Sequence, residues 1–211
     1  MDAELSGYVK DKGFIILGWS DLGWTYLFTQ TPVSSLESFK DVKMWGWEDE
    51  PISKRFFEMA GISQVSLSLP DVLPALQSGL INGVYNSPLG AIALQWNKYV
   101  KYITGMTIGI GIGATVVTKS QWDLVSAENQ AKVLEIAKKH HVKLREAVRK
   151  KNKEAVAQLK KEGIEVVSVP QAEVDRFLAL AAKVRADLAA KMFKPGLLDR
   201  VEKLIKDIRG K

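Results

Sequence analysis

The 211-residue chain contains no cysteine. That absence excludes disulfides, thiolate zinc sites, iron–sulfur clusters and a cysteine nucleophile. It also removes redox chemistry as a guide to the compartment. Histidine is scarce too, with His140 and His141 the only two. Neighbours on a helix point about 100° apart, so this pair cannot chelate one metal ion together. No H-E-x-x-H spacing occurs, and a Ser–His–Asp triad would have to draw on one of these two side chains. No apolar run approaches the roughly 18 residues of a membrane-spanning helix. The opening Met1-Asp2-Ala3-Glu4 lacks the basic region and apolar core of a signal peptide, as expected of a cytosolic protein or of a mature or trimmed form.

What is present is ordinary for a globular protein: 46% apolar and 26% charged residues, which excludes disorder as the main state. The net charge of +6 is unevenly placed. Residues 1–118 carry 8 Lys and Arg against 11 Asp and Glu, and residues 119–211 carry 22 against 13. The excess lysines interleave with glutamates at helical spacing, which reads as the solvated faces of long helices and not as a nucleic-acid patch. Five of the six tryptophans, Trp19, Trp24, Trp45, Trp47 and Trp96, lie in the acidic half.

Residues 14–118 alternate short apolar or β-branched runs with helices of about 6–11 residues. Strands are expected over 14–19, 22–29, 41–47, 64–69, 80–85, 100–104 and 107–118. Helices are expected over 36–40, 51–59, 72–77 and 88–97, with Gly61 and Gly79 as C-caps. This is the pattern of an α/β fold with a largely parallel or mixed sheet. From Ser126 to Glu162 neither Pro nor Gly interrupts the chain. Leu134, Ala137, His141, Leu144, Val148, Ala155 and Leu159 follow helical steps, predicting one helix of about 55 Å. Its lysines, among them Lys138, Lys143, Lys150, Lys153 and Lys160, should face solvent. A strand over 164–169 and helices over 171–192 and 197–208 complete the reading. Three segments result: an α/β lobe region (1–125), a long connecting helix (126–162), and a strand with C-terminal helices packing back on the lobes (163–211).

Gly109-Ile110-Gly111-Ile112-Gly113-Ala114 fits G-x-G-x-x-[GA] formally, but Thr115-Val116-Val117 continues as strand where a dinucleotide fingerprint requires a helix to open. Alternation instead places the glycines on one face and the isoleucines on the other. Trp45 and Trp47 share a face at the carboxyl end of a strand, where open α/β sheets bind ligands. Tyr85-Asn86-Ser87-Pro88 holds the equivalent place after a later strand, and Trp19 also ends a strand. These aromatics point to a pocket.

The order of Phe39-Lys40-Asp41-Val42-Lys43-Met44, Ala75-Leu76-Gln77-Ser78-Gly79 and Ile81-Asn82-Gly83-Val84-Tyr85-Asn86-Ser87-Pro88, with the Trp122 segment and the long helix, resembles the DctP-type substrate-binding proteins of tripartite ATP-independent periplasmic (TRAP) transporters. The resemblance implies a periplasmic-binding-protein-like architecture of two lobes spanned by a long helix, with a small ligand held between them. It implies a periplasmic receptor that delivers its ligand to membrane permease subunits, with no cofactor, no metal and no catalysis. Trp45, Trp47 and Asn86 should line the site, with Tyr85, Trp19 and Trp24 beside them. The family reads organic acids through an arginine at the position of Trp45. Two indoles in place of that guanidinium point to a more hydrophobic or aromatic ligand. Family members also begin with βα units that have no counterpart before Phe14, so an exposed sheet edge is expected, met by a missing N-terminal fragment or by self-association. The alternative reading is a helical interaction module that dimerises or binds an acidic partner through the basic helix of 126–162.

Overall fold

The computed structural model describes residues 2–210. In chain order the elements are α1 (Asp2–Asp11), β1 (Phe14–Thr29), a 3-10 turn (Glu37–Phe39), β2 (Lys43–Gly46), α2 (Pro51–Ala60), β3 (Ser63–Ser66), α3 (Leu69–Ser78), β4 (Gly83–Asn86) and α4 (Pro88–Ala93). A second 3-10 turn (Trp96–Tyr99) leads to β5 (Tyr102–Thr104), β6 (Gly109–Thr118), α5 (Lys119–Trp122), α6 (Ala127–Lys161), β7 (Glu165–Val167), α7 (Gln171–Met192) and α8 (Leu197–Arg209). Local chemistry sets the boundaries. Glu50 accepts hydrogen bonds from the N–H groups of Ile52 and Ser53 at the start of α2, and Ser126 accepts from Asn129 at the start of α6. Gly61 and Gly79 close α2 and α3 in the left-handed region, at φ 68° and 72°.

The two strands expected over 14–29 are one strand of 16 residues. It keeps going through two β-bulges, between Ile16 and Gly18 and between Asp21 and Gly23. The helix expected over 88–97 stops at Ala93 and resumes as a 3-10 turn. The long helix is continuous over 35 residues.

The chain divides into two compact units that draw on alternating stretches. The first comprises residues 1–27, 85–98 and 107–165. Its sheet is a long antiparallel ribbon of β1 with β6, in register from Phe14↔Thr118 to Thr25↔Gly109. α6 packs on one face of that ribbon. A Cβ on Gly18 would lie 2.1 Å from the His141 ring, and one on Gly23 would lie 2.4 Å from the Asn152 amide. The two glycines are therefore what allow the helix so close. Asn152 then joins three elements: its Nδ2 donates to the carbonyls of Leu22 (3.0 Å) and Val148 (3.1 Å), and its Oδ1 accepts from the Leu89 N–H at 3.1 Å. Arg149 reaches the buried Asp21, donating through Nε at 2.8 Å and Nη2 at 2.6 Å to a single carboxylate oxygen. Of the expected stripe on α6, Ala155 and Leu159 are buried and Ala137, His141 and Val148 half-buried. Leu134 and Leu144 are instead exposed: the packed strip steps through His141, Arg145, Val148, Asn152, Ala155 and Leu159, which puts Arg145 and not Leu144 on it.

The second unit comprises residues 28–84, 99–106 and 166–211. Its strand order is β3-β2-β4-β1-β5-β7, with β1 represented by Phe28 and Thr29. β2 runs parallel to β3 and to β4, and the end of β1 runs antiparallel to β5. Phe28, Val33, Phe39, Val42, Met44, Trp45, Leu76, Ile81 and Val84 form the core. Gly83 lies under Met44 and Val42, where a Cβ would come within 2.4 Å of the Met44 sulfur. α2 packs against α7, with Phe56 stacked on Phe177 at 6.4 Å and Phe39 edge-on to Phe177 at 6.0 Å. Around these rings Arg55 donates to Asp187 at 2.8 Å, and Arg176 donates to both Glu37 (2.6 Å) and Glu173 (2.8 Å).

Candidate ligand site

The two tryptophans of β2 end up in different environments. Trp45 lies within the strand and is 1% exposed. Its indole N–H donates to the Leu67 carbonyl at 3.0 Å, which satisfies the one polar atom that so deep a position would otherwise strand. Trp47, just past the strand end, is 40% exposed. The two rings meet at 5.0 Å with their planes 55° apart, so the buried indole backs the exposed one. Between them Gly46 is covered by the Gln64 side chain, whose amide would come within 1.9 Å of a Cβ there. The Gln64 Nε2 also donates to the Ser66 hydroxyl at 3.4 Å. Alternation along β2 turns Gly46 away from Trp45, so Gln64 and Ser66 flank the face of the sheet opposite to the indole pair, and the exposed Glu48 and Asp49 follow Trp47 directly. The parallel register sets Met44 beside Gln64 and brings its long side chain over the bare Gly46.

The other expected residues belong to the first unit. Asn86 ends β4, and its Oδ1 accepts from the Ser87 N–H at 2.8 Å. It lies against Gly90, where a Cβ would sit 2.3 Å from that oxygen. Ser87 in turn caps α4 by accepting from the Gly90 N–H at 3.1 Å. Asn86 therefore organises the strand-to-helix turn. Tyr85 and Trp19 are half-buried, and Trp24 stands exposed beside its cross-strand partner Ile110. Within each unit the structure therefore brings together Trp45 with Trp47, and separately gathers Tyr85 with Asn86 at one turn.

His140 and His141 share no metal-like cluster. Among the described residues no group of three His, Asp or Glu side chains is placed to hold an ion. An open groove of about 430 Å³ lies along α6, lined by Glu135, Lys138, Lys139, Val142 and Lys143. It contains none of the expected aromatics. Among the described residues no helix is long and apolar enough to cross a membrane. The carboxyl end of β2 carries an exposed indole followed directly by the acidic run Glu48-Asp49-Glu50.

The family model of bacterial extracellular solute-binding proteins, family 7 (DctP), matches residues 1–192. A solute-binding protein of Verminephrobacter eiseniae is 24% identical over 195 residues, covering 92% of this chain and 57% of the relative. Among solved structures, a TRAP periplasmic solute-binding protein of Fusobacterium nucleatum with bound sn-glycerol-3-phosphate superposes with a TM-score of 0.87 at 22% identity, covering 99% of this chain and 66% of that one. A Bordetella pertussis extracytoplasmic solute receptor that binds pyroglutamic acid superposes with a TM-score of 0.83 at 20% identity, covering 92% of this chain and 63% of that one. The fold is that of the TRAP solute receptors, and the chain spans less than two thirds of the length of each of these relatives.

Proposed function

This chain belongs to the DctP family of bacterial extracellular solute-binding proteins, and from that membership we propose that it serves as the extracytoplasmic solute receptor of a TRAP-type secondary transporter. It captures a small organic ligand in the periplasm and delivers it to the permease subunits without transforming it. The family match across residues 1–192 carries this reading.

The ligand class is argued from the indole pair. The two solved relatives named above hold a phosphate ester and a carboxylic acid. A guanidinium binds such groups through forked, charge-assisted hydrogen bonds. Where the resemblance places that guanidinium, this chain has Trp45, with its N–H already committed to Leu67. What meets the ligand beside it is the open ring of Trp47. The ligand is therefore apolar or aromatic on the side that faces Trp47. Native mass spectrometry of the purified protein identifies a co-purified ligand. Calorimetry with paired aromatic and aliphatic acids then measures preference. Tighter binding of the aromatic member of each pair supports the reading; equal or tighter binding of small aliphatic dicarboxylates refutes the ligand class while leaving receptor function intact.

A further inference from the structure

α8 divides cleanly into an apolar and a charged face, and none of its residues is buried. Leu197, Val201, Leu204 and Ile208 recur in steps of four, three and four, with Leu198 and Ile205 beside them. At 100° per residue these side chains fill an arc of about 120°. Leu197, Leu198 and Val201 are half-buried, whereas Leu204 and Ile205 are exposed and Ile208 is 73% exposed. On the flank next to Leu198 and Ile205, Glu202 accepts from Arg185 of α7 at 3.8 Å. The opposite flank, beyond Leu204, carries Arg200 and Asp207. Apolar side chains scattered singly over a surface are ordinary, but a continuous stripe rimmed by charge marks an interaction surface.

The charges along the rim indicate the occupant. Leu197, Val201, Leu204 and Ile208 have the spacing of a coiled-coil seam, and Arg200 and Asp207 hold the same rim position of successive heptads with opposite signs. Two copies of α8 laid antiparallel about a two-fold axis between Val201 and Leu204 set Val201 against the second copy's Leu204 and Leu197 against its Ile208. The same operation brings each Arg200 beside the other copy's Asp207. The surface is therefore self-complementary, as a two-fold interface requires. A parallel pair would instead set Arg200 against the apolar Ile205. A bilayer fits less well: the four basic residues of α8 are offset by three acids, whereas the polar face of an interfacial helix is rich in Lys and Arg. We propose that the open face of α8 is a homodimer contact, in which residues 197–208 of two chains pack antiparallel and Arg200 pairs twice with Asp207 across the rim. The family match ends at residue 192, before α8 begins, so the inference is independent of the receptor reading and of the ligand.

The test is sedimentation velocity on the full 211-residue chain over a wide concentration series. The expected result is a dimer whose population grows with concentration. Ile208→Lys, at an exposed position, weakens it roughly tenfold or more while circular dichroism shows the helices retained. Arg200→Asp and Asp207→Arg each set like charges against one another across the rim, and each weakens the homodimer. An equimolar mixture of those two variants recovers association, because every rim pair is then of opposite sign. A chain that stays monomeric at every concentration overturns the proposal. So does a dimer indifferent to Ile208→Lys, or one whose two charge variants do not recover on mixing. A monomer that binds vesicles of anionic phospholipid, and loses that binding in Ile208→Lys, overturns it in favour of a bilayer surface.

Discussion

Trp45 and Trp47 stand two positions apart in one strand, and burial separates their roles. Trp45 is enclosed, with its N–H hydrogen-bonded to Leu67, so Trp45→Ala leaves a large void and an unpaired carbonyl. Chemical denaturation should show a loss of about 3–5 kcal/mol for that variant. Trp47→Ala removes a ring that is already partly in water and should change stability by less than about 1 kcal/mol. Its ligand affinity should fall by about 2 kcal/mol, read by calorimetry. The opposite pattern, with binding lost only in the Trp45 variant, would remove Trp47 from the site. Asn152 acts at the same scale. Its three hydrogen bonds tie α6 to β1 and to the start of α4. Asn152→Leu leaves the Leu22 carbonyl and the Leu89 N–H without this partner, and urea unfolding should report a loss of about 2–3 kcal/mol. Gly23→Ala should also destabilise, because its φ of 104° disfavours any side chain and a Cβ there would strike Asn152.

At the scale of elements, the contact of the 3-10 turn Glu37–Phe39 with α7 is electrostatic at its rim and aromatic at its centre. The Arg176 guanidinium beside Glu37 holds that carboxyl down at about 2, from an ordinary value of 4.5. A carboxyl lowered in the folded state stabilises it fully above pH 4.5, and the contribution is lost as pH falls from 4.5 towards 2. The side chains are largely exposed, so salt screens the pair. Thermal melts between pH 5 and pH 2 should fall less steeply for Glu37→Gln than for the parent, and the difference should narrow in high salt. Glu162, at the end of α6, is lowered in the same direction by hydrogen bonds from Gln158 and Asn97, so the parent's remaining acid sensitivity includes that helix end.

At the scale of the whole molecule, each compact unit is assembled from three separate stretches, and the chain passes between units within β1, within β4, within the second 3-10 turn, between β5 and β6, and within β7. A ligand that binds only the folded receptor stabilises it by about 2.7 kcal/mol at a hundredfold excess over Kd. For a protein of this size that raises Tm by roughly 5–10 °C. An aromatic organic acid should produce such a shift in differential scanning fluorimetry, and a four-carbon dicarboxylate at equal concentration should not. Equal shifts with both would return the ligand class to that of the acid-binding relatives.

Much of this architecture could be read from residue patterns, because local chemistry sets it. Capping by Glu50 and Ser126, left-handed glycines after α2 and α3, and the uninterrupted helical steps of α6 each act within a few residues. The placement of Trp45 and Trp47 at a strand end was legible for the same reason, and so was the alternation that sets isoleucines opposite glycines in β6. Which indole is buried was not legible, since it depends on Leu67, just past the end of the neighbouring parallel strand β3, accepting from the Trp45 N–H. The continuity of β1 was hidden because its bulges are defined only by pairing with β6, some 90 residues away. Gly18 and Gly23 fall inside the two strands expected over 14–19 and 22–29; only the approach of His141 and Asn152 shows them to be the contact points of a helix. Periodicity along the chain thus determined the elements and the face each residue occupies, and non-local packing decided which of those faces became core, which the candidate site and which stayed open to solvent.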